Sequence, residues 1–111
     1  MAEQTITSNS LKIWTEDFGN SSHPSLVLVN GATFQGIYWE TEFCERIADH
    51  GIHVLRYDHR DSGLSTLVDY QKNPYTMSDL ADDVLAILNA YGIDSAHISG
   101  FSMGGMICQM L

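Results

Sequence analysis

The stretch AHISGFSMGG at residues 96–105 decides the fold. Its first four residues form a short apolar run of the kind that is typical of a buried β-strand. The glycine-flanked residues 100–104 predict a sharp turn, and residues 104–111 predict the start of a helix. A strand that turns directly into a helix is the repeating unit of α/β proteins.

The same order of strand and helix occurs twice upstream, and two further strands form a hairpin at the start of the chain. The predicted strands are residues 4–9, 11–18, 26–29, 53–57 and 96–99, and the predicted helices are residues 38–50, 77–91 and 104–111. Strands that alternate with helices indicate crossover connections. The sequence therefore predicts a mostly parallel α/β sheet of about five strands, with helices on both faces.

The composition excludes several classes of protein. The 111 residues are 44% hydrophobic with a net charge of −9, and the five Lys and Arg residues are scattered, so no nucleic-acid partner is expected. No apolar stretch approaches the ~20 residues that span a bilayer. The N-terminus does not resemble a signal peptide, and no membrane partner is expected. Cys44 and Cys108 form no CxxC pair, which favours free thiols in a reducing cytoplasm.

Residues 100–104 match the pattern Gly-x-Ser-x-Gly. The position of this pattern between a strand and a helix is the setting of a nucleophile elbow. Glycines on both sides of Ser102 remove Cβ atoms that would clash, Gly105 gives further room, and Ser102 is expected to adopt a strained, positive-φ backbone. A dinucleotide-binding loop would need a glycine where Ser102 stands. The remaining alternative is an ordinary turn that contains a serine.

A serine nucleophile needs two N–H groups that stabilise the oxyanion. The N–H of Met103, at the start of the helix, is the first candidate. The second is expected from the loop that follows an earlier buried strand, here residues 30–34 with Gly31 at the end of the strand. Ala32 is the predicted donor and Thr33 is the reserve, unless this is an ordinary connecting loop.

Three motifs of the chain resemble the α/β-hydrolase family: residues 100–104, Asn30-Gly31-Ala32, and DHRDSGLS at residues 58–65. The segment HVLRYDHRDSG, residues 53–63, is most similar to the branch that contains aclacinomycin methylesterase. The resemblance implies Ser102 as nucleophile and Ala32 and Met103 as oxyanion donors. It also implies hydrolysis of a carboxylic ester, small or polyketide, through an acyl-serine without metal or organic cofactor. Family members with dehalogenase or epoxide-hydrolase chemistry carry Asp at the elbow, and Ser102 argues against those activities.

The family's catalytic acid and histidine follow the serine in chain order. Residues 1–111 are therefore expected to be an incomplete domain, truncated after the elbow and inactive alone. Among the internal histidines, His97 lies about 16 Å back along an extended strand. His59 is either a base for Ser102 or part of a hydrogen-bonded turn. His50 and His53 have no evident third ligand, so no metal site is expected.

The family's strand order, 1-2-4-3-5-6-7-8, would leave the strand at residues 96–99 at an open edge of the sheet. An unpaired apolar edge recruits another strand. The chain is thus expected to pair with a C-terminal half or with a second copy. Three hypotheses follow: the N-terminal segment of a serine esterase, an interaction module, or a non-functional truncation product.

Overall fold

The computed structural model describes all residues, 1–111. The strands are β1 (Ala2–Ser8), β2 (Leu11–Phe18), β3 (Ser25–Val29), β4 (His53–Tyr57) and β5 (Ala96–Gly100). The helices are α1 (Thr41–Ala48), α2 (Met77–Ala90) and α3 (Met103–Gln109), and a 3₁₀ turn (Gly36–Tyr38) precedes α1. The strands form one sheet in the order β1-β2-β4-β3-β5. The predicted five-stranded α/β architecture is confirmed, and the sheet is mixed, because two of its four strand pairings are antiparallel.

The pairing of the strands determines which loops meet. β2 pairs antiparallel with β1 and with β4, whereas β3 pairs parallel with β4 and with β5. Parallel strands end at the same edge of a sheet, and the loops after β3, β4 and β5 therefore converge there. Val29 is the register partner of Gly100, which places the end of β3 beside the turn that contains Ser102.

Apolar side chains cover the two faces of the sheet unequally. On one face, α2 and α3 pack over a cluster of eleven buried residues that includes Leu55. On the other face, α1 packs over a cluster of four that includes Val54. Successive strand residues point to opposite faces, so neighbours in β4 belong to different clusters. The predicted helices on both faces are confirmed.

The first helix is shorter than predicted, because it begins at Thr41 and not at residue 38. The backbone of Trp39 and Glu40 is extended, with ψ angles of 96° and 144°. The Trp39 carbonyl accepts hydrogen bonds from the guanidinium of Arg56 and from the thiol of Cys44. Arg56 of β4 thus binds a carbonyl that a helix starting at residue 38 would use in its own backbone hydrogen bonding. The longest helix, α2, has 14 residues, and no helix is long and apolar enough to cross a membrane.

A buried ion pair joins α2 to the loop after β4. The Asp83 carboxylate accepts two hydrogen bonds from the Arg60 guanidinium, at 2.8 and 2.7 Å, and one from Ser8 Oγ at 2.6 Å. The side chains of Arg60 and Asp83 are only 9% and 2% exposed. This network ties β1, the loop after β4 and α2 together.

Replacing Asp83 by alanine is expected to lower the free energy of unfolding by about 3–5 kcal/mol, because it leaves the Arg60 charge buried without a partner. The matched control is Asp82→Ala, whose side chain is exposed on the same helix. That change is expected to stay within about 0.5 kcal/mol of the parent. Urea unfolding of both variants measures the difference. If Asp83→Ala lowered the free energy of unfolding no more than Asp82→Ala does, the buried pair would contribute nothing to stability.

Candidate active site

Ser102 occupies the turn between β5 and α3. Its backbone has φ 53° and ψ −125°, in a region that non-glycine residues rarely adopt. The residue is exposed, and its side chain makes no cap hydrogen bond to α3. The predicted positive-φ conformation at a strand–helix turn is confirmed.

Two glycines make this turn sterically possible. A Cβ atom on Gly100 would lie 2.6 Å from the carbonyl carbon of Gly104. A Cβ atom on Gly104 would lie 2.2 Å from the Val29 carbonyl oxygen and 2.6 Å from that of Asn30. The expectation that Gly105 gives further room is wrong, because a Cβ atom there would meet its nearest neighbour at an ordinary 3.6 Å. Of the two glycines in α3, it is Gly104 that approaches the end of β3 too closely for a side chain.

The predicted oxyanion loop follows β3 at the same edge of the sheet. Ala32 and Thr33 are exposed, and their N–H groups donate to no backbone carbonyl. Thr33 has a φ of 69°, which turns the chain back on itself. Met103 lies in the first turn of α3, where N–H groups have no intrahelical partner. All three N–H groups are free to bind a ligand, and the choice of Ala32 over Thr33 stays a prediction.

None of the histidines in residues 1–111 hydrogen-bonds to Ser102. The buried His59 has its Nε2 atom 2.9 Å from the Asn30 carbonyl oxygen, so its partner is the oxyanion loop. His97 is exposed on β5, where its register partner is Leu26. The geometry favours the interpretation of His59 as a hydrogen-bonded element of the turn over its interpretation as a base.

The other two histidines considered as a pair, His50 and His53, have separate environments. His50 is exposed and its Nδ1 lies 2.8 Å from the Arg46 carbonyl oxygen. His53 is buried, with Ser25 Oγ 3.1 Å from Nδ1 and Asp17 Oδ2 2.6 Å from Nε2. No group of three or more His, Cys, Asp or Glu side chains is arranged to hold a metal ion.

The two cysteines are unpaired, as predicted. Burial raises the pKa of both the Cys44 and the Cys108 thiol. A raised pKa lowers the thiolate fraction at neutral pH and makes each thiol a poor nucleophile. The two thiols are therefore poor candidates for a nucleophile, and Ser102 as nucleophile stays a prediction.

An aromatic cluster lies against the serine turn, and the sequence analysis did not identify it. Phe101, which precedes Ser102, has its ring centroid 5.3 Å from Phe34, 5.1 Å from Tyr38 and 5.6 Å from Trp39. Trp39 also stacks on Phe43 at 6.0 Å. Phe34, Tyr38 and Phe43 are 40%, 52% and 46% exposed. The sequence feature that could have revealed this cluster is the presence of aromatic residues directly after the oxyanion loop and inside the serine motif.

A sequence model described as the alpha/beta hydrolase fold matches residues 24–111. The chain belongs to the α/β-hydrolase fold family. The matched region contains both the serine turn and the loop with Ala32, and the strand order of the first five strands is the one that the family resemblance implies. The Gly-x-Ser-x-Gly pattern thus lies on the sheet that this hydrolase family uses.

Two curated hydrolases match the whole of this chain. Rhodomycin D methylesterase from Streptomyces sp. strain C5 is 39% identical over all 111 residues, and rhodomycin D methylesterase from Streptomyces peucetius is 37% identical. The crystal structure of a hydrolase from Pseudomonas aeruginosa PA01 superposes with a TM-score of 0.86 at 30% identity and covers 98% of the chain. The expected similarity to a methylesterase branch is confirmed.

The chain spans only part of these hydrolases. It covers 37% of the length of each curated methylesterase and 40% of the chain in that crystal structure. The matched part includes the turn that contains Ser102.

Proposed function

We propose that residues 1–111 supply the nucleophile and the oxyanion donors of a serine hydrolase that acts on a carboxylic ester. The strained backbone of Ser102, with φ 53° and ψ −125° at a strand–helix turn, carries this proposal, because such a conformation costs free energy and strain of this kind clusters at active sites. The acid and the histidine of the triad lie on polypeptide outside residues 1–111. The unpaired thiols are in keeping with a cytoplasmic setting.

The chemistry follows from the atoms that meet at the sheet edge. The Ser102 hydroxyl gives its proton to the histidine base while Oγ attacks the ester carbonyl carbon. The N–H groups of Ala32 and Met103 bind the oxyanion that forms. Collapse of this intermediate expels the alcohol, which takes the proton, and leaves an acyl-serine. Water, activated by the same base, then releases the acid and restores Ser102.

The aromatic cluster supports an ester with a flat, apolar acyl part. Phe101 belongs to the serine turn, its ring contacts those of Phe34 and Tyr38, and these two rings are partly exposed. Aromatic rings stack on planar ligands with offset or edge-to-face geometry. The similarity to rhodomycin D methylesterases agrees with a methyl ester of a polyketide as substrate.

A chimera tests this function. Residues 1–111 replace the matching part of the Streptomyces sp. strain C5 methylesterase, and hydrolysis of a simple aryl ester is measured for the chimera and for the chain alone. The chimera is expected to turn over, and the chain alone is expected to stay at the buffer rate because no base contacts Ser102. Turnover by the chain alone that Ser102→Ala removes would place the base within residues 1–111. A chimera that is folded by circular dichroism but inactive would contradict the esterase proposal.

A second candidate function, as an interaction module, is favoured by the edge of the sheet. β5 pairs only with β3, so the backbone on its other side has no strand partner. Its sequence AHISG contains no Lys, Arg, Asp or Glu to discourage pairing. Met106, on the helix α3 that packs against β5, is 52% exposed, and Leu85, on α2 beside α3, is 47% exposed. A second copy of the chain or a separate C-terminal half would cover this surface.

The isolated chain is expected to sediment as a dimer or a larger species. A lasting dimer of this kind buries on the order of 2,000 Å². A lysine at an exposed edge position blocks strand pairing, so His97→Lys is expected to shift the chain toward monomer. His50→Lys, exposed away from β5, is the control and should leave association unchanged. A monodisperse monomer with cooperative unfolding would rule out self-association through this edge.

A further inference from the structure

The oxyanion loop is held at both of its ends by the residues that end β4. At one end, Asn30 Nδ2 donates to the Tyr57 carbonyl oxygen at 3.1 Å. At the other end, the Gly36 N–H donates to Asp58 Oδ1 at 2.6 Å. Both contacts are buried. The exposed residues between Asn30 and Gly36, among them Ala32, therefore form a segment whose two ends are fixed by buried hydrogen bonds.

His59 adds a third contact, made to the Asn30 carbonyl at the start of the loop. Its Nε2 lies 2.9 Å from the Asn30 carbonyl oxygen. A carbonyl oxygen can only accept, so Nε2 carries the hydrogen. Burial lowers the pKa of His59, against the opposing effects of the Asn30 hydrogen bond and of the Asp83 and Asp58 carboxylates. The neutral ring with its hydrogen on Nε2 is thus the form that binds the loop at neutral pH.

The Asn30 carbonyl oxygen also contacts the start of α3. A Cβ atom on Gly104 would lie 2.6 Å from this oxygen, so the first turn of α3 approaches it as closely as a residue without a side chain allows. Met103, one candidate donor, immediately precedes Gly104, and Ala32, the other, lies two residues after Asn30. The Asn30–Gly31 peptide group therefore contacts both His59 and the start of α3, and the two candidate donors lie one and two residues from these contacts.

We propose that His59 is a positioning residue that orients the Asn30–Gly31 peptide and thereby sets the spacing between the Ala32 and Met103 N–H groups. The proposal rests on the assignment of these two N–H groups as oxyanion donors. Gly31 has no side chain to restrict rotation of the peptide. The rings of Phe101 and Phe34 pack against Gly31, and the His59 hydrogen bond fixes the direction of the carbonyl. Donors that are fixed in advance stabilise the transition state without reorganisation, so the effect is expected in kcat and not in KM.

The first test uses the unmodified 111-residue chain labelled with 15N-histidine, which has five histidines to assign. NMR is expected to show His59 as the tautomer with hydrogen on Nε2. The opposite tautomer, with hydrogen on Nδ1, would overturn the proposal because it cannot donate to the Asn30 carbonyl. This outcome depends neither on a substitution nor on any activity.

The second test compares His59→Leu with His59→Gln, which keeps an N–H donor at a similar distance from the backbone. In His59→Leu, the amide signals of Gly31 and Ala32 are expected to move while those of the β1–β2 hairpin stay in place, and His59→Gln is expected to restore them. In the chimera, His59→Leu is expected to lower kcat roughly tenfold or more with KM nearly unchanged, since small displacements of catalytic groups are costly.

Unmoved Ala32 signals in His59→Leu, or shifts spread evenly over the whole chain in both variants, would overturn the positioning role. If His59→Leu does not fold, wild-type-like Gly31 and Ala32 signals in His59→Gln support the role, and altered ones count against it. An inactive wild-type chimera would count against the esterase function and leave the NMR result to decide on His59.

Discussion

A chimera that carries Ser102→Ala is expected to hydrolyse esters with a kcat roughly 10⁴-fold or more below that of the parent chimera. The loss follows because Oγ of Ser102 is the atom that forms the acyl bond. With alanine, only the oxyanion donors and the aromatic cluster remain to assist attack by water. Steady-state kinetics on an aryl ester measures the effect, and mass spectrometry with a fluorophosphonate should find the label on Ser102 in the parent.

Ser99→Ala is the matched control for this prediction. Ser99 lies three residues earlier and is exposed on β5. It makes no hydrogen bond to the oxyanion loop or to α3. Its replacement is expected to leave kcat within about twofold, in line with the small effects of surface changes. A Ser102→Ala chimera that keeps a tenth of the parent rate would show that another group is the nucleophile.

Gly104→Ala is expected to lower the free energy of unfolding by about 3 kcal/mol or more, because the added methyl group enters filled space. A Cβ atom there would stand 2.2 Å from the Val29 carbonyl oxygen, which belongs to a strand that is paired on both sides. β3 cannot move away without breaking sheet hydrogen bonds, and α3 cannot move away without pulling the buried Ile107 out of the core. Thermal or urea unfolding measures the loss.

The neighbouring glycine gives the contrast. Gly105 lies in α3, and a Cβ atom there meets its nearest neighbour at 3.6 Å. Gly105→Ala is therefore expected to be neutral or to stabilise the chain by up to about 1 kcal/mol, from the higher helix propensity of alanine. If both substitutions destabilised the chain equally, the close approach of α3 to β3 would not be the reason for Gly104.

The local elements of this chain were predictable because their causes are local. The segments that form the three parallel strands are short and rich in aliphatic residues, and Thr76 and Asp79 cap α2 reciprocally, at 3.3 and 2.8 Å. The sharp turn at Ser102 needs glycine at positions 100 and 104, and both the pattern and the positive φ agree. Steric and hydrogen-bonding rules that act within four or five residues are contained in the sequence itself.

The errors of prediction occurred where a distant contact overrides a local preference. The periodicity of residues 38–50 predicts one helix, but Arg56, from β4, takes the Trp39 carbonyl and the helix begins later. Gly105 has the same local sequence signal as Gly104, and only the position of β3 distinguishes the two.

The sequence by itself determined the α/β class, the strands, the serine turn and the loop that follows β3. The tertiary structure decided which side chains reach that site: His59 binds a carbonyl 29 residues away, and Arg60 binds Asp83 at a separation of 23. It also assembled the aromatic cluster from Phe34, Tyr38 and Phe101. The reason is that these contacts depend on the order and register of strands in the sheet. Hydrogen bonds and packing between distant segments set that order, and no periodicity within one segment encodes it.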